Sequence, residues 1–400
     1  MNLYEQLPYW LIRDGIVSSY PSLHADVKAD VAIIGAGVSA ALTAWHLRAS
    51  GRSIVVLDRR HVGMGSTAAS TAFLQYEIDT PLTKLSKMVG EKNAVDSYRL
   101  CRQAIYDIED ICKKFKPAFE FSIVPSLQHA SYRTHVGQLR EEYALRKKHS
   151  FNVEWLESDD LAQKFRLDAP AGILSADGGQ LDAYLFTHAL FRDFLKHGHV
   201  VYNNTAINHI RHNKDGIRLV SSNGAEVQAK KIVIACGYES LKYLPIKIAE
   251  VQTTYALVSE ALPNEYFWHG NSLIWETASP YTYFRVVSEN RILIGGRDDP
   301  YHRPHISPST IDKKSKMSVN AFHKRMPHIP LKPDFSWAGA FAVTSDGLPY
   351  IGGIKQIPNT YFALGFGGNG ITFSVIAAQI LKDMILGKSN IHAHLFDFSR

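Results

Sequence analysis

The stretch DVAIIGAGVSA (Asp30–Ala40) decides how the chain is read. Residues 30–34 form a short apolar, β-branched run that fits a buried strand, and a glycine turn follows at once. Ala41 to Ser50 then reads as a helix with Leu42, Trp45, His46 and Ala49 near one face, closed by Gly51. SIVVLD (53–58) is a second buried strand that ends in an acid. Strand, glycine turn, helix, strand, acid is the order of a dinucleotide-binding βαβ unit. Asp58 lies 23 residues beyond Gly35, the spacing at which a carboxylate meets a ribose diol. Gly35 permits the tight turn, Gly37 lets backbone N–H groups approach a pyrophosphate, and Ala40 allows the helix to pack closely on the strand. The helix N-terminus adds positive potential for two phosphates.

Outward from this unit, RRHVGMGSTAASTAFLQ (59–75) carries a glycine loop and then small hydroxyl residues that can face a ligand; Ser66 would also serve as an ordinary helix cap. Residues 200–237 alternate short strands with turn signals and end in KIVIACG, where Ala235, Cys236 and Gly237 let backbone pass close to a nucleotide. Near the C-terminus, YFALGF leads through GGNG into a helix beginning near Ile371, a second glycine turn aimed at a helix N-terminus. A flavin uses such an element to stabilise charge on its reduced ring, whereas NAD enzymes seldom need it. Between these motifs, Ala94, Tyr98, Cys101, Ile105, Ile108, Cys112 and Phe115 form a helical stripe. Residues 246–300 read as strands.

The 400 residues are 46% apolar and 20% charged, which suits a large core and argues against a disordered or fibrous chain. A net charge of +6 without a dense basic block argues against a nucleic-acid footprint. No membrane-spanning window or secretory signal is apparent. The three cysteines, Cys101, Cys112 and Cys236, form neither a disulfide framework nor a zinc pattern, so no metal is expected and a reducing cytoplasm is the simplest compartment.

Four motifs in order carry a resemblance over nearly the whole chain: YPSLHADVKADVAIIGAGVSA, STAASTAFLQYEIDTPL, IVIACGYES, and the pair TSDGLPYIG and GFGGNGITF. The chain resembles the D-amino-acid oxidase superfamily of FAD-dependent amine oxidoreductases, most of all its gamma-glutamylputrescine oxidoreductase and glycine oxidase branch. The resemblance implies an α/β fold in which a Rossmann-like FAD domain with a central parallel sheet is interleaved with a substrate domain. The latter is built on a mostly antiparallel sheet plus helices. The expected boundaries are 1–76, 171–245 and 336–400 for FAD, and 77–170 and 246–335 for substrate. It also implies FAD held at Gly35, Gly37, Val38, Ser39 and Ala40, with Asp58 and Arg59 at the ribose and Ser66 and Thr67 at the phosphates. Thr71, Ala72 and Phe73 would lie near the ring, Ala206 at the adenine end, Gly237 close to the nucleotide, and Phe366, Gly367, Gly368, Asn369, Gly370, Ile371 and Thr372 at the flavin. No Cys stands in GFGGNGITF, so FAD is expected to be non-covalent.

In YTYFR, Tyr281, Tyr283 and Arg285 share one face of a strand, two phenols and a cation. The resemblance places Tyr283 near the substrate, with Glu276 and Tyr255 as further candidates. Members that oxidise α-amino acids carry an Arg where this chain has Phe341, so the expected substrate is an amine whose carboxylate is remote or absent. Leu293 stands where other members place an oxygen-activating Lys, which leaves O2 or another electron acceptor open. The implied reaction is oxidation of a C–N bond of a primary or secondary amine, an amino acid or polyamine derivative, by hydride transfer to the flavin, followed by hydrolysis of the imine, with no mandatory side-chain base. The alternatives are an NAD-dependent dehydrogenase and a flavin enzyme acting on a modified tRNA base.

Overall fold

The computed structural model describes residues 3–115, 119–301 and 305–400. Two compact units alternate along the chain, one made of Met1–Ile12, Ala69–Asp182 and Val251–Phe341, the other of Arg13–Ala68, Ala183–Glu250 and Ala342–Arg400.

The second unit is built on an eight-stranded sheet. Its centre is parallel, in the order Thr360–Leu364, Glu226–Ile234, Val27–Ile34, Ile54–Leu57 and Val200–Tyr202. Tyr350–Gly353 adds an antiparallel edge, and the hairpin Ile207–Asn213/Gly216–Ser221 continues from Glu226–Ile234. Strands covered on both faces must be apolar throughout, and Ile54–Leu57 is buried at every position. The helix Val38–Leu47 packs against both Ala183–Lys196 and Gly370–Ile385. It starts three residues before the expected Ala41, because Gly37 in extended backbone already serves as its cap. Ala32, Val55, Ile232, Ile234 and Phe362 sit in one core cluster, the four larger side chains each contributing roughly 1.5–3 kcal/mol of apolar burial.

The first unit carries a ten-stranded, mostly antiparallel sheet. Its order is Tyr4–Glu5, Pro333–Val343, Glu250–Ser259, Arg291–Pro300, Thr282–Val287, Leu273–Glu276, Ser122–His129, Ala171–Gln180, Phe73–Leu74, with Val153–Glu157 also on Ala171–Gln180. The boundaries differ from the expected ones in five places: 246–250 falls in the nucleotide-motif unit and 336–341 in this one, and three further segments change sides through strand pairing. Strand Ala171–Gln180 pairs with Ser122–His129 and Val153–Glu157, Phe73–Leu74 pairs with Ala171–Gln180, and Tyr4–Glu5 pairs with Pro333–Val343. Segments 1–12, 69–76 and 171–182 therefore belong with this sheet and not with the nucleotide motifs. The expected stripe is the helix Glu91–Cys112, with Ala94, Tyr98, Cys101, Ile105, Ile108 and Cys112 buried. Two of the three thiols are thereby core filling.

Candidate functional site

The candidate residues divide between the two units. In the Arg13–Ala68, Ala183–Glu250, Ala342–Arg400 unit they gather at the C-terminal ends of the parallel strands, where an open α/β sheet binds ligands. Gly35 has φ +111°, and a Cβ there would lie 2.4 Å from the Ala235 carbonyl oxygen. The turn is thus squeezed by the end of the neighbouring strand as well as twisted. At Gly37 a Cβ would lie 2.9 Å from Thr67 Oγ1, which accepts a 2.9 Å hydrogen bond from Val38 N. Gly37 and Thr67 are coupled in this way, and a hydroxyl from the 66–69 turn covers one amide of the helix start. Ala40 is fully buried.

Asp58 caps the second strand, with Oδ2 accepting from Ala36 N at 2.6 Å and Oδ1 from Arg60 N at 2.7 Å. Burial raises its pKa, opposed by those two amides and by the Arg60 charge. Each carboxylate oxygen keeps a second lone pair for a ribose hydroxyl. Arg59 and Arg60 converge on Glu239, at 2.5 and 2.9 Å, so the guanidinium expected at the ribose is drawn into an ion pair. Glu239 follows Gly237 in a short 3-10 turn, a partner that only the fold reveals. Ala206 follows Thr205, whose amide bonds the Asp58 carbonyl at 2.7 Å, and its own carbonyl accepts from Ser222 N. Asp58, Ala206 and Gly237 therefore share one corner.

Ser66 does not act as a cap; its hydroxyl is buried and bonds nothing. A Cβ on Gly237 would sit 3.9 Å from that hydroxyl, with nothing nearer. Cys236 bonds Ser240 Oγ through Sγ at 3.4 Å, and burial pushes its thiol up to about 11, which makes it inert rather than nucleophilic. At the other glycine turn, Gly365 and Gly367 take positive φ, and Asn369 caps Gly370–Ile385, one residue from the expected start. Gly367 N bonds the Ala342 carbonyl at 3.0 Å, Phe366 stacks on Phe373, and Thr372 Oγ1 donates to the Asn369 carbonyl. A Cβ on Gly370 would meet nothing within 4 Å, so this position of the helix start is open, while Ile371 beside it is buried. Ser39 and Ser374 join the two glycine-turn helices by a 2.7 Å hydroxyl contact. A pair of helix N-termini, an unbonded hydroxyl and glycines without side chains fit a diphosphate-bridged dinucleotide. Thr67, Val38 and Ser39 help set the spacing between these elements.

In the other unit, Thr71, Phe73, Tyr283 and Arg285 come together. Tyr283 OH is 3.0 Å from Thr71 Oγ1, and its ring packs edge-on to Phe73 at 5.1 Å. Tyr281 stacks on Tyr283 at 5.9 Å, as the strand alternation anticipated. Burial pushes both phenols well above the ordinary tyrosine range, so they are neutral hydrogen-bonding groups. A Cβ on Gly295 would lie 2.3 Å from the Tyr283 ring, so the ring lies across a strand position that has no side chain. Ala72 holds φ +47°, a strained value for a residue with a Cβ.

Three substrate candidates have other duties. Arg285 is 2% exposed and donates to the Thr71 carbonyl at 2.9 Å, the Gln180 side chain at 3.3 Å and the Leu181 carbonyl at 3.2 Å; it is a buried post, not a free cation. Glu276 accepts from Ser131 Oγ at 2.8 Å and Thr282 N at 3.0 Å. Tyr255 donates to Asp299 at 3.1 Å beneath Lys314. Phe341 is buried and apolar. Among the described residues no group of His, Cys, Asp and Glu could hold a metal ion, and no helix is long and apolar enough to cross a membrane.

Residues 30–384 match the FAD dependent oxidoreductase (DAO) family. Glycine oxidase of Bacillus licheniformis is 26% identical over 90% of this chain and 93% of that protein. Gamma-glutamylputrescine oxidoreductase of Escherichia coli is 20% identical over 95% of this chain and 88% of that protein. The crystal structure of glycine oxidase from Geobacillus kaustophilus shares the fold with a TM-score of 0.78 at 19% identity, covering 91% of this chain and 96% of that one. The chain belongs to the FAD dependent oxidoreductase family, so its dinucleotide is FAD.

Proposed function

We propose that this enzyme oxidises a C–N bond of a small amine. The observation that carries this reading is the neutral aromatic wall of Tyr281, Tyr283 and Phe73, with Arg285 withdrawn into backbone carbonyls and Phe341 buried and apolar. Such a wall binds an amine without demanding an α-carboxylate. The names of two relatives, glycine oxidase and gamma-glutamylputrescine oxidoreductase, also point to nitrogen-bearing substrates.

FAD, when bound, supplies the two-electron oxidation of the substrate carbon. The chain's own residues hold and orient. Asp58 would receive ribose hydroxyls, the unbonded Ser66 hydroxyl and the Val38–Leu47 helix N-terminus would face the diphosphate, and the Gly370–Ile385 helix N-terminus would favour negative charge on the ring. The Tyr283 hydroxyl, held by Thr71, would position the amine. The apolar surroundings favour the neutral, oxidisable amine over its ammonium form. With the only thiol of this unit inert, FAD would be bound without a covalent link.

The test is spectroscopic. The purified protein should show flavin absorption, release its flavin to the supernatant on acid precipitation, and bleach anaerobically with at least one amine of a panel. A flavin-loaded protein that no amine bleaches, while a 2-hydroxy acid or a polyol phosphate does, sinks the reading.

A further inference from the structure

Strand Arg291–Pro300 is irregular near its end. Thr253 pairs with Asp299 but Tyr255 pairs with Gly296, so three steps on this strand oppose two on its neighbour, a bulge around Arg297 and Asp298. Gly296 (φ +120°) and Arg297 (φ +60°) take left-handed backbone there, and a Cβ on Gly296 would lie 2.2 Å from the Tyr281 carbonyl oxygen. A bulge of this kind re-aims a side chain. Asp298 Oδ1 is thereby buried without a hydrogen-bond partner. The groups acting on this carboxylate come from four separate segments: the Thr254 and Tyr281 hydroxyls donate hydrogen bonds to it, leaving Oδ1 over, while Asp79 and Lys314 act on it through charge. Only Lys314 carries an opposing charge, and its Nζ is engaged by Asp299 at 2.6 Å and the Arg297 carbonyl at 3.0 Å. Tyr281, beside the carboxylate, is the outer ring of the stacked tyrosine pair.

A carboxylate oxygen left buried and unbonded is costly even where hydroxyls serve the rest of the group. The arrangement makes sense if a ligand completes it. Aromatic faces and a carboxylate together select an ammonium group, since a cation over a ring is attracted by the ring quadrupole while the carboxylate takes its N–H donors. Burial lifts the Asp298 carboxyl to about 6, with Thr254 and Tyr281 opposing and Asp79 adding to the rise, so it is charged near neutral pH.

We propose that Asp298 is a specificity-determining residue that holds a second ammonium group of the substrate, so that the preferred substrate is a diamine or another amine with an additional cationic nitrogen. This rests on the reading of Tyr281 and Tyr283 as the substrate wall. The experiment is anaerobic flavin bleaching by 1,4-diaminobutane, butylamine and glycine, with the wild type and Asp298→Asn. The wild type should half-saturate with the diamine at a concentration at least tenfold below that for butylamine. Asp298→Asn should raise that concentration about tenfold for the diamine, change butylamine less than twofold, and leave the limiting bleaching rate nearly unchanged. Should the wild type prefer glycine, Arg297 would be the better candidate for a ligand contact and the proposal falls. Equal use of butylamine and diamine by the wild type also overturns it while the amine-oxidation reading stands; that comparison needs no variant to fold. Bleaching by none of the three, but by a non-amine donor, overturns both.

Discussion

Tyr283 OH lies 3.0 Å from Thr71 Oγ1, a side-chain contact across 212 positions of sequence that ties a central strand to the segment carrying the strained Ala72. Because the two hydroxyls share this bond, Tyr283→Phe and Thr71→Val should each lower stability by about 1 kcal/mol, and the double variant should lose little more than either single change. Urea unfolding of the three variants gives the coupling directly. Losses that simply add would mean that the two hydroxyls do not interact.

Arg285 should matter for folding rather than for substrate charge. Arg285→Met leaves the Thr71 and Leu181 carbonyls without this donor and should cost on the order of 2–5 kcal/mol. Arg285→Lys should recover only part of this, because one ammonium cannot span the forked arrangement of acceptors. Urea midpoints rank the three proteins. Whatever folds of the Met variant should retain the wild-type order of preference among amines, measured by flavin bleaching.

Gly35→Ala combines a Cβ at φ +111° with a contact of 2.4 Å to the Ala235 carbonyl oxygen. The backbone must move at the strand end that frames the dinucleotide, so FAD affinity should fall by at least a hundredfold and stability by roughly 1–3 kcal/mol. Flavin retained through gel filtration is the measurement. A yellow, fully loaded variant would contradict the role given to this turn.

His188 provides a pH-dependent term with a definite sign. It lies buried between Tyr20 and Tyr184, and burial, with Arg192 adding, pulls its pKa down to about 4. In the unfolded chain the imidazole titrates near 6.5. Between those values the unfolded state binds more protons, so this residue's contribution is complete above about pH 6.5 and is lost as pH falls toward 4, by at most ~3 kcal/mol. His188→Gln lacks the term. The stability difference between variant and wild type should therefore shift in the variant's favour as pH drops through that window, read from urea midpoints at pH 7, 6, 5 and 4.5; a constant difference would place His188 in contact with solvent.

The chain by itself determined the parts of this protein that depend on short-range pattern. A β-branched run, a glycine turn, a helix and an acid within 29 residues specify a βαβ unit, because period, turn conformation and spacing are all local properties. The second glycine turn before Gly370 and the Tyr281/Tyr283 alternation were legible for the same reason. Tertiary structure decided what each side chain is left free to do. Arg285 and Glu276 read as chemistry-bearing groups until the fold surrounded them with backbone donors and acceptors. Arg59 pairs with Glu239, 180 residues away, and strand Ala171–Gln180 joins the sheet that can complete its ladder. Asp298 stands out only because a bulge leaves one of its two carboxylate oxygens, Oδ1, buried and unbonded. Pattern is written along the chain, whereas hydrogen-bond satisfaction is settled by distant partners, and a polar residue's availability for function is the remainder after those partners have been counted.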